Sequence, residues 1–141
     1  RFNKLTSLSD DFRSTTLPYI TNMDVSYNCF SEVPTQPLNS ANLRAFAINH
    51  QRDANDNRCL RTWPTGITSC PSLIQFQIGS NDIRKVEEKL TYHLYIVNIK
   101  DNPNISIDVT SVCPYIKAGA YRLFYDKTQD IRGCDALDLE N

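Results

Sequence analysis

Six residue positions recur along this chain at fixed offsets, and the recurrence constrains the fold more than any other feature of the sequence. Apolar residues stand at offsets 0, +3, +5, +10 and +13, and Asn stands at +8. The two clearest sets are Leu73, Phe76, Ile78, Asn81, Ile83 and Val86, and Ile20, Met23, Val25, Asn28, Phe30 and Val33. An internal period of roughly 20–30 residues is typical of a solenoid, in which each repeat buries its apolar face against the next.

The same alignment organises most of the chain. The residues at the +8 position are Asn3, Asn28, Gln51, Asn81, Asn102 and Asp126. The sixth repeat is degenerate and reads Ala118, Tyr121, Leu123 and Asp126 at offsets 0, +3, +5 and +8. We predict a single domain over residues 1–141, with five to six repeats and the last one serving as a cap. Because Arg1 falls inside a truncated first repeat, we expect the chain to be the C-terminal part of a longer protein.

The offsets predict a short strand followed by a buried turn in every repeat. Positions +3 and +5 alternate, so their side chains point to the same side of a strand. An amide side chain carries both donors and an acceptor, and it can satisfy backbone groups left unpaired in the turn after the strand. We therefore predict a ladder of polar side chains along the solenoid, formed by Asn28, Gln51, Asn81, Asn102 and Asp126.

These residues resemble the leucine-rich-repeat pattern L-x-x-L-x-L-x-x-N-x-L-x-x-L/V-P, from about Asn3 to Asp126. Val33-Pro34 and Trp63-Pro64 resemble its L-P ending. The strings at 67–73 and 101–105 are similar to secreted or lipid-anchored surface proteins of gut anaerobic bacteria. The resemblance implies an α/β solenoid, a curved right-handed coil with a short-stranded parallel sheet on its concave face and 3₁₀ or coil returns on its convex face.

The resemblance also implies a partner bound on the concave face, usually a protein. The candidate binding residues are Tyr27, Asp24, His50, Gln75, Gln77, Asn98, Lys100, Arg122, Phe124 and Tyr125. Interfaces favour Tyr and Arg as anchors, so Tyr27, Arg122, Phe124 and Tyr125 stand out among them. The alternative interpretation is that a solvated sheet face is polar in any case.

Composition disfavours several functional classes. With 15 Lys and Arg against 16 Asp and Glu, the chain lacks the basic excess of nucleic-acid-binding domains. No run of 18 apolar residues predicts a transmembrane segment. No sequence motif for a catalytic triad, zinc hydrolysis or phosphate binding occurs, and we predict neither an enzyme nor a cofactor.

An insertion at residues 53–58 resembles the first half of a calcium-binding loop. Arg58 stands where that loop needs Gly, and Pro64 stands where it needs the bidentate Glu. We therefore predict no metal site. The insertion is interpreted as a polar excursion on the rim, or as a loop that contacts a partner.

Five cysteines are present, an odd number that argues against a fully paired disulfide framework. Cys29 and Cys59 occupy the same repeat position. Equivalent residues of stacked repeats lie roughly 4.7–4.9 Å apart, which is within the Cα range of a disulfide. Cys29 and Cys59 are therefore a candidate disulfide in an oxidising compartment, and the alternative is that the cysteines are small buried hydrophobes.

The sequence favours a non-catalytic module that recognises a protein or a glycan through its concave face. The expected location is extracellular or at the cell surface, with lipid anchoring in the outer membrane or periplasm as one form. Two alternatives stay open. The repeats could select substrates for a catalytic domain upstream of Arg1, or they could form a structural spacer.

Overall fold

The computed structural model describes residues 5–6, 20–34, 38, 41–135 and 137. The expectations placed on Arg1 and Asn3 lie outside these residues. The strands are β1 (Asn22–Asp24), β2 (Ala45–Ala47), β3 (Gln75–Gln77), β4 (Ile96–Asn98), β5 (Ser106–Asp108), β6 (Arg122–Phe124) and β7 (Asp130–Arg132). Helical turns are the 3₁₀ segments Ile67–Ser69 and Thr110–Val112 and the helix α1, Cys113–Lys117.

Five strands form a parallel sheet in the order β1-β2-β3-β4-β6, which we call the main sheet. The strands are parallel because the chain returns between successive strands and enters each from the same end. The middle residue of every strand points to the core, and these residues pair in the register Met23, Phe46, Phe76, Val97 and Leu123. The predicted parallel sheet of short strands is confirmed.

Apolar residues at the repeated offsets fill the core. Leu43, Leu73 and Leu94, all at offset 0, are fully buried. The rings of Phe46 and Phe76 stack with centroids 6.2 Å apart, so aromatic contacts join neighbouring repeats. Each buried side chain of this size contributes roughly 1.5–3 kcal/mol, and stacking is what removes both of its sides from water.

Buried amides link the repeats through backbone groups. Asn81 Nδ2 donates to the carbonyls of Ile78, in its own repeat, and Ile48, in the preceding one, at 3.1 and 2.9 Å. Asn81 Oδ1 accepts the N–H of Gln51 at 2.9 Å. Asn102 makes the equivalent bonds to Ile78 and Ile99, at 3.0 and 2.9 Å. Each amide therefore holds two turns of the solenoid together.

The first two predicted members of the ladder make corresponding bonds. Gln51 Nε2 donates to the Val25 carbonyl at 3.1 Å, and its Oε1 accepts the N–H of Phe30 at 2.9 Å. Asn28 Nδ2 donates to Val25 O at 2.9 Å, while its Oδ1 accepts the N–H of Leu5 at 3.2 Å. Gln51 thus bonds a carbonyl of the preceding repeat, as Asn81 and Asn102 do, while Asn28 bonds a carbonyl of its own repeat.

The sixth repeat is shifted by two residues from the predicted alignment. Val97 pairs with Leu123, which places Leu123 at +3 and not at +5. Asp126 consequently lies at +6, where its carboxylate accepts the N–H of Asp101 at 2.7 Å. The assignment of Asp126 to the +8 position of the ladder is corrected, since a carboxylate has no donor for the buried carbonyls.

Gln129 completes the ladder at this end. Its side chain is buried, and Nε2 donates to the carbonyls of Ile99 and Asn102 at 2.8 and 3.2 Å. Its Oε1 accepts the N–H of Asp126 at 2.8 Å. The shift also moves Tyr125 to +5, where the ring packs against the core and the hydroxyl donates to Leu137 O at 3.2 Å. Tyr125 is therefore removed from the predicted binding face.

The return segments contain a second sheet, which the expectation of 3₁₀ and coil alone did not include. Strands β5 and β7 pair in parallel. Ile105, Ile107 and Val109 are buried, and the residues between them are less so. This alternation is the pattern of a half-buried strand and was present in the sequence.

The disulfide differs from the predicted one. Cys113 and Cys134 are bonded, with their Cα atoms 5.2 Å apart, whereas Cys29 and Cys59 stay as thiols. Arg52, and not Cys59, occupies the place beside the second repeat, where its backbone N–H donates to Asn28 O at 2.9 Å. The insertion after Arg52 displaces Cys59 from the equivalent place, so the predicted Cys29–Cys59 pair is corrected.

Replacing Gln129 with Met should destabilise the protein by about 2 kcal/mol, because buried backbone groups lose their partner while the side-chain length is kept. Urea unfolding followed by Trp63 fluorescence measures the change. The control is Thr128→Ala, at the exposed neighbouring position, which should change the free energy of unfolding by less than about 0.5 kcal/mol. Equal losses in the two variants would contradict the role of Gln129.

Candidate functional site

The candidate site is the face of the main sheet that points away from the core. The first and third residues of each strand flank an inward-pointing middle residue and are at least partly exposed. We call this surface the open face. Its side chains are Asn22, Asp24, Ala45, Ala47, Gln75, Gln77, Ile96, Asn98, Arg122 and Phe124.

Strand register arranges the open face in two rows. One row runs through Asn22, Ala45, Gln75, Ile96 and Arg122, and the other through Asp24, Ala47, Gln77, Asn98 and Phe124. Six residues of the predicted binding set lie in these rows, namely Asp24, Gln75, Gln77, Asn98, Arg122 and Phe124. The sheet therefore brings most of the predicted set onto one surface.

Two shallow hollows lie side by side on the open face. Ala45 and Ala47 form the floor of the first, which has a volume of about 400 Å³ and is bounded by the side chains of β1 and β3. The second has a volume of about 350 Å³ and lies between β3 and β6. Gln75 and Gln77 line both hollows and divide them.

Hydrogen bonds hold part of the open face in place. Gln77 Oε1 accepts from Asn49 Nδ2 at 3.2 Å, and Asn49 Oδ1 accepts the N–H of Gly79 at 2.7 Å. A Cβ on Gly79 would lie 3.3 Å from that oxygen, so glycine allows the Asn49 side chain to cross here. Asn98 Oδ1 accepts the N–H of Lys100 at 3.0 Å. These hydrogen bonds set the orientation of the three amide side chains.

Other groups of the open face keep their capacity for a ligand. Asn22 and Gln75 make no side-chain hydrogen bond to any residue that the structure describes. Within the same residues, Asp24 and Arg122 enter no ion pair. The Asp24 carboxylate accepts the N–H of Ser26 at 2.9 Å, and the Arg122 guanidinium lies 5.6 Å from the centre of the Phe124 ring.

Four residues at offset +7 form a second row at the ends of the strands, which we call the turn row. Tyr27, His50, Ser80 and Asp101 all have a left-handed backbone, with φ between 54° and 62°. The N–H groups of the first three donate to the +6 carbonyl of the next repeat at 2.8–3.1 Å. These bonds offset the strain of positive φ. The rings of Tyr27 and His50 stack with centroids 4.7 Å apart.

The insertion folds as a hairpin against the turn row. Arg52 pairs with Arg58 across it, and the Asp53 carboxylate accepts the N–H groups of residues 55 and 57. Arg58 Nη1 donates to the carbonyls of Asn81 and Asp101, both at 2.7 Å, and Nη2 donates to Asp101 Oδ1 at 2.9 Å. Sequence reasoning missed Arg58 as a tie between the insertion and two later repeats.

The described part of the chain holds no group of three or more His, Cys, Asp or Glu side chains arranged to bind a metal. The Asp53 carboxylate, the first residue of the resemblance to a calcium loop, caps its own turn. No helix among the described residues has the length and apolar character needed to span a membrane.

Three of the four remaining predicted binding residues lie beside the two rows of the open face, whereas the fourth, Tyr125, packs against the core. Tyr27 and His50 belong to the turn row, and Tyr27 is 45% exposed. Lys100 follows β4 and is also exposed. These three residues border the open face at the end where the strands finish.

His50 is poised among charges of both signs. Burial is the largest cause of a lowered pKa at His50, and Arg52 is the second. Arg58 also lowers this pKa, while the carboxylates of Asp56 and Asp101 oppose the shift. The neutral imidazole is therefore the form that the folded protein favours.

Two solved structures are similar to this chain over its whole length. A leucine-rich repeat protein from Bacteroides thetaiotaomicron is 79% identical, with a TM-score of 0.96 over 100% of this chain. A leucine-rich repeat protein from Bacteroides eggerthii is 70% identical, with a TM-score of 0.94 over 99%. The chain spans 17% and 23% of the lengths of those two chains.

The match in sequence and backbone supports a leucine-rich-repeat solenoid for this chain. No protein-family model matches it, and no curated protein does. The resemblance drawn from the repeat pattern thus agrees with the solved structures in the repeat class, and both of those proteins come from the genus Bacteroides.

Replacing His50 with Asn should make stability less dependent on pH. A lowered pKa means that the imidazole contributes stability above its unfolded pKa of about 6.5, and that this contribution is lost as pH falls. Asn removes the titration and tolerates positive φ. Urea midpoints between pH 7.5 and 5 should fall less steeply for His50→Asn than for the wild type. The control Thr128→Ala, at an exposed position without a titratable group, should keep the wild-type slope, and an unchanged slope in His50→Asn would contradict the prediction.

Proposed function

We propose that the chain is a non-catalytic recognition module that binds a protein partner on its open face. The observation that carries the proposal is the set of ten side chains held in two rows on short strands. Their backbone is fixed by the sheet and by the amide ladder, so binding need not order it. A pre-organised surface loses less conformational entropy on association than a flexible one.

The chemistry of the open face suits a protein surface. Amides dominate its centre, and amides can both donate to and accept from peptide groups. Exposed aromatic rings border it at the two ends, Tyr27 beside β1 and Phe124 on β6, which are 45% and 39% exposed. Arg122 lies beside Phe124. Aromatic residues and Arg are enriched among the residues that dominate binding energy.

We also infer that the module works outside the cytoplasm, at the cell surface or in the extracellular space. The Cys113–Cys134 disulfide supports this location, because disulfides persist in oxidising compartments and are rare in the cytosol. A curved solenoid with the open face on its concave side, anchored to the membrane by lipid, is the form that we propose by resemblance.

Two other functions compete with this proposal. A spacer needs no ligand on the open face, and a substrate-selecting module would depend on a catalytic domain elsewhere in a longer chain. Both differ from a binding module in what they predict for substitutions on the open face. A spacer predicts no effect on binding, and a substrate selector predicts loss of turnover together with loss of binding.

Photocrosslinking tests the binding proposal. A benzoylphenylalanine at position 75, which replaces an amide that bonds no described residue, should crosslink a protein partner in cells that make the protein. The control position is Lys89, which is exposed and outside the main sheet. Arg122→Ala and Phe124→Ala should each reduce the crosslinked product at least about tenfold, the effect expected of a binding hot spot.

Tyr92→Ala is the matched control for these truncations, because Tyr92 is 66% exposed and lies outside the strands. It should leave the crosslinked product unchanged. Equal crosslinking at positions 75 and 89, or a product that survives both open-face truncations, would refute the binding site.

Reduction tests the proposed compartment. Dithiothreitol should lower the free energy of unfolding by about 3 kcal/mol, as expected for a cross-link between residues 21 apart in sequence. A Cys113→Ser/Cys134→Ser double variant should show no such response. The oxidising location would be contradicted if iodoacetamide alkylated Cys113 and Cys134 in the native protein and dithiothreitol left its free energy of unfolding unchanged.

A further inference from the structure

We propose that the open face takes an extended segment of the partner protein, laid across the strands, with a basic side chain at β1 and an acidic side chain at β6. This inference rests on the proposed function and specifies the chemistry of its ligand. It follows from the positions of the charges and hollows on the open face.

The charges of the open face stand at its opposite ends. Asp24 lies on β1 and is exposed, and Arg122 lies on β6 and is exposed. Neither is in an ion pair with a residue that the structure describes. Lys100 after β4 and Asp126 after β6 both stand at offset +6 and carry opposite charges, so the charge on the strands at this end is that of Arg122. A partner with the complementary order of charges gains specificity and correct orientation.

Strand spacing fixes the length of the segment. Four steps separate β1 from β6 in the main sheet, which corresponds to about 19 Å at the usual spacing of roughly 4.8 Å. In an extended peptide, side chains on one face recur every ~6.7 Å. The first and seventh residues of such a segment are therefore about 20 Å apart and match the separation of the two charged strands.

The two hollows determine which kind of side chain the segment carries between its two charged residues. The third residue of the segment falls about 6.7 Å from the first, between β2 and β3, and its side chain enters the hollow over Ala45 and Ala47. Alanine leaves space for a bulky apolar side chain there. The fifth residue falls over the second hollow, beside Ile96. The apolar residue is therefore two positions from the basic residue and four positions from the acidic one.

A peptide fits this face better than a neutral glycan. Asn22 and Gln75 offer donors and acceptors that pair with the N–H and C=O groups of an extended backbone. A neutral sugar would leave the opposite charges of Asp24 and Arg122 unused. The charge order therefore favours a polypeptide ligand.

Selection from a random peptide library displayed on phage tests the inference. The wild-type chain should enrich peptides in which an apolar residue lies two positions from Lys or Arg and four from Asp or Glu. The double variant Asp24→Lys/Arg122→Glu should enrich the opposite order, with the apolar residue two positions from the acidic one. Wild-type peptides should bind this variant at least tenfold more weakly.

The matched control is Lys85→Glu/Glu87→Lys, which swaps an exposed ion pair outside the main sheet. It should enrich the same peptides as the wild type. Peptides without a charge order, or an order that the Asp24/Arg122 swap does not reverse, would overturn the inference.

Ala47→Trp separates this inference from the proposed function. Trp fills the first hollow, so a peptide that binds the wild type but not this variant binds on the open face. Peptides that are lost in Ala47→Trp but carry no charge order refute the segment chemistry and leave the binding site standing. Peptides that still bind Ala47→Trp, or a selection that enriches none, count against both. Neutral oligosaccharides that bind the wild type but not Ala47→Trp would overturn the peptide assignment.

Discussion

The buried amide ladder is the interaction on which the rest of this structure depends. Each repeat must turn at the end of its strand, inside the core, and the turn leaves backbone carbonyls that water cannot reach. Asn81 satisfies two such carbonyls in different repeats and also accepts an N–H. An unsatisfied buried group costs about 1–3 kcal/mol, comparable to the burial of one apolar side chain. The hydrogen bonds of the buried amides therefore determine where a polar side chain recurs in each repeat, and the stacking of apolar side chains stabilises the repeats against one another.

The repeat pattern predicted the main sheet because side-chain direction follows from offset alone. The sixth repeat shows how much of the predicted side-chain direction survives an error in alignment. Its alignment was wrong by two residues, yet Arg122 and Phe124 still face outward, since a strand has a side-chain period of two. Tyr125, placed beyond the strand, was misassigned by the same shift. Gln129 was missed because its role in the ladder follows from its side chain and not from its offset. Its amide supplies the donor that the Asp126 carboxylate lacks.

Long-range contacts that no offset encodes account for the other differences. The Cys113–Cys134 pair depends on return segments that pair as β5 and β7, and the pattern of the main sheet says nothing of their register. The sequence revealed the insertion but not how it is attached to the rest of the fold. Its attachment through Arg58 to two later repeats requires a folded hairpin to aim the guanidinium. Such contacts depend on how the folded segments lie in space, and the spacing of residues along the sequence does not specify this.

The geometry of the main sheet also explains why Asp24 and Arg122 enter no ion pair among the residues that the structure describes. Asp24 and Arg122 are separated by four strand steps, about 19 Å, whereas charges in physiological salt are screened over about 8 Å. The alanines of β2 carry no group that could pair with Asp24. The two charges therefore neutralise neither each other nor a neighbour on that strand. The strands that fix the core thus also set the spacing of the two charges that the proposed partner segment would match.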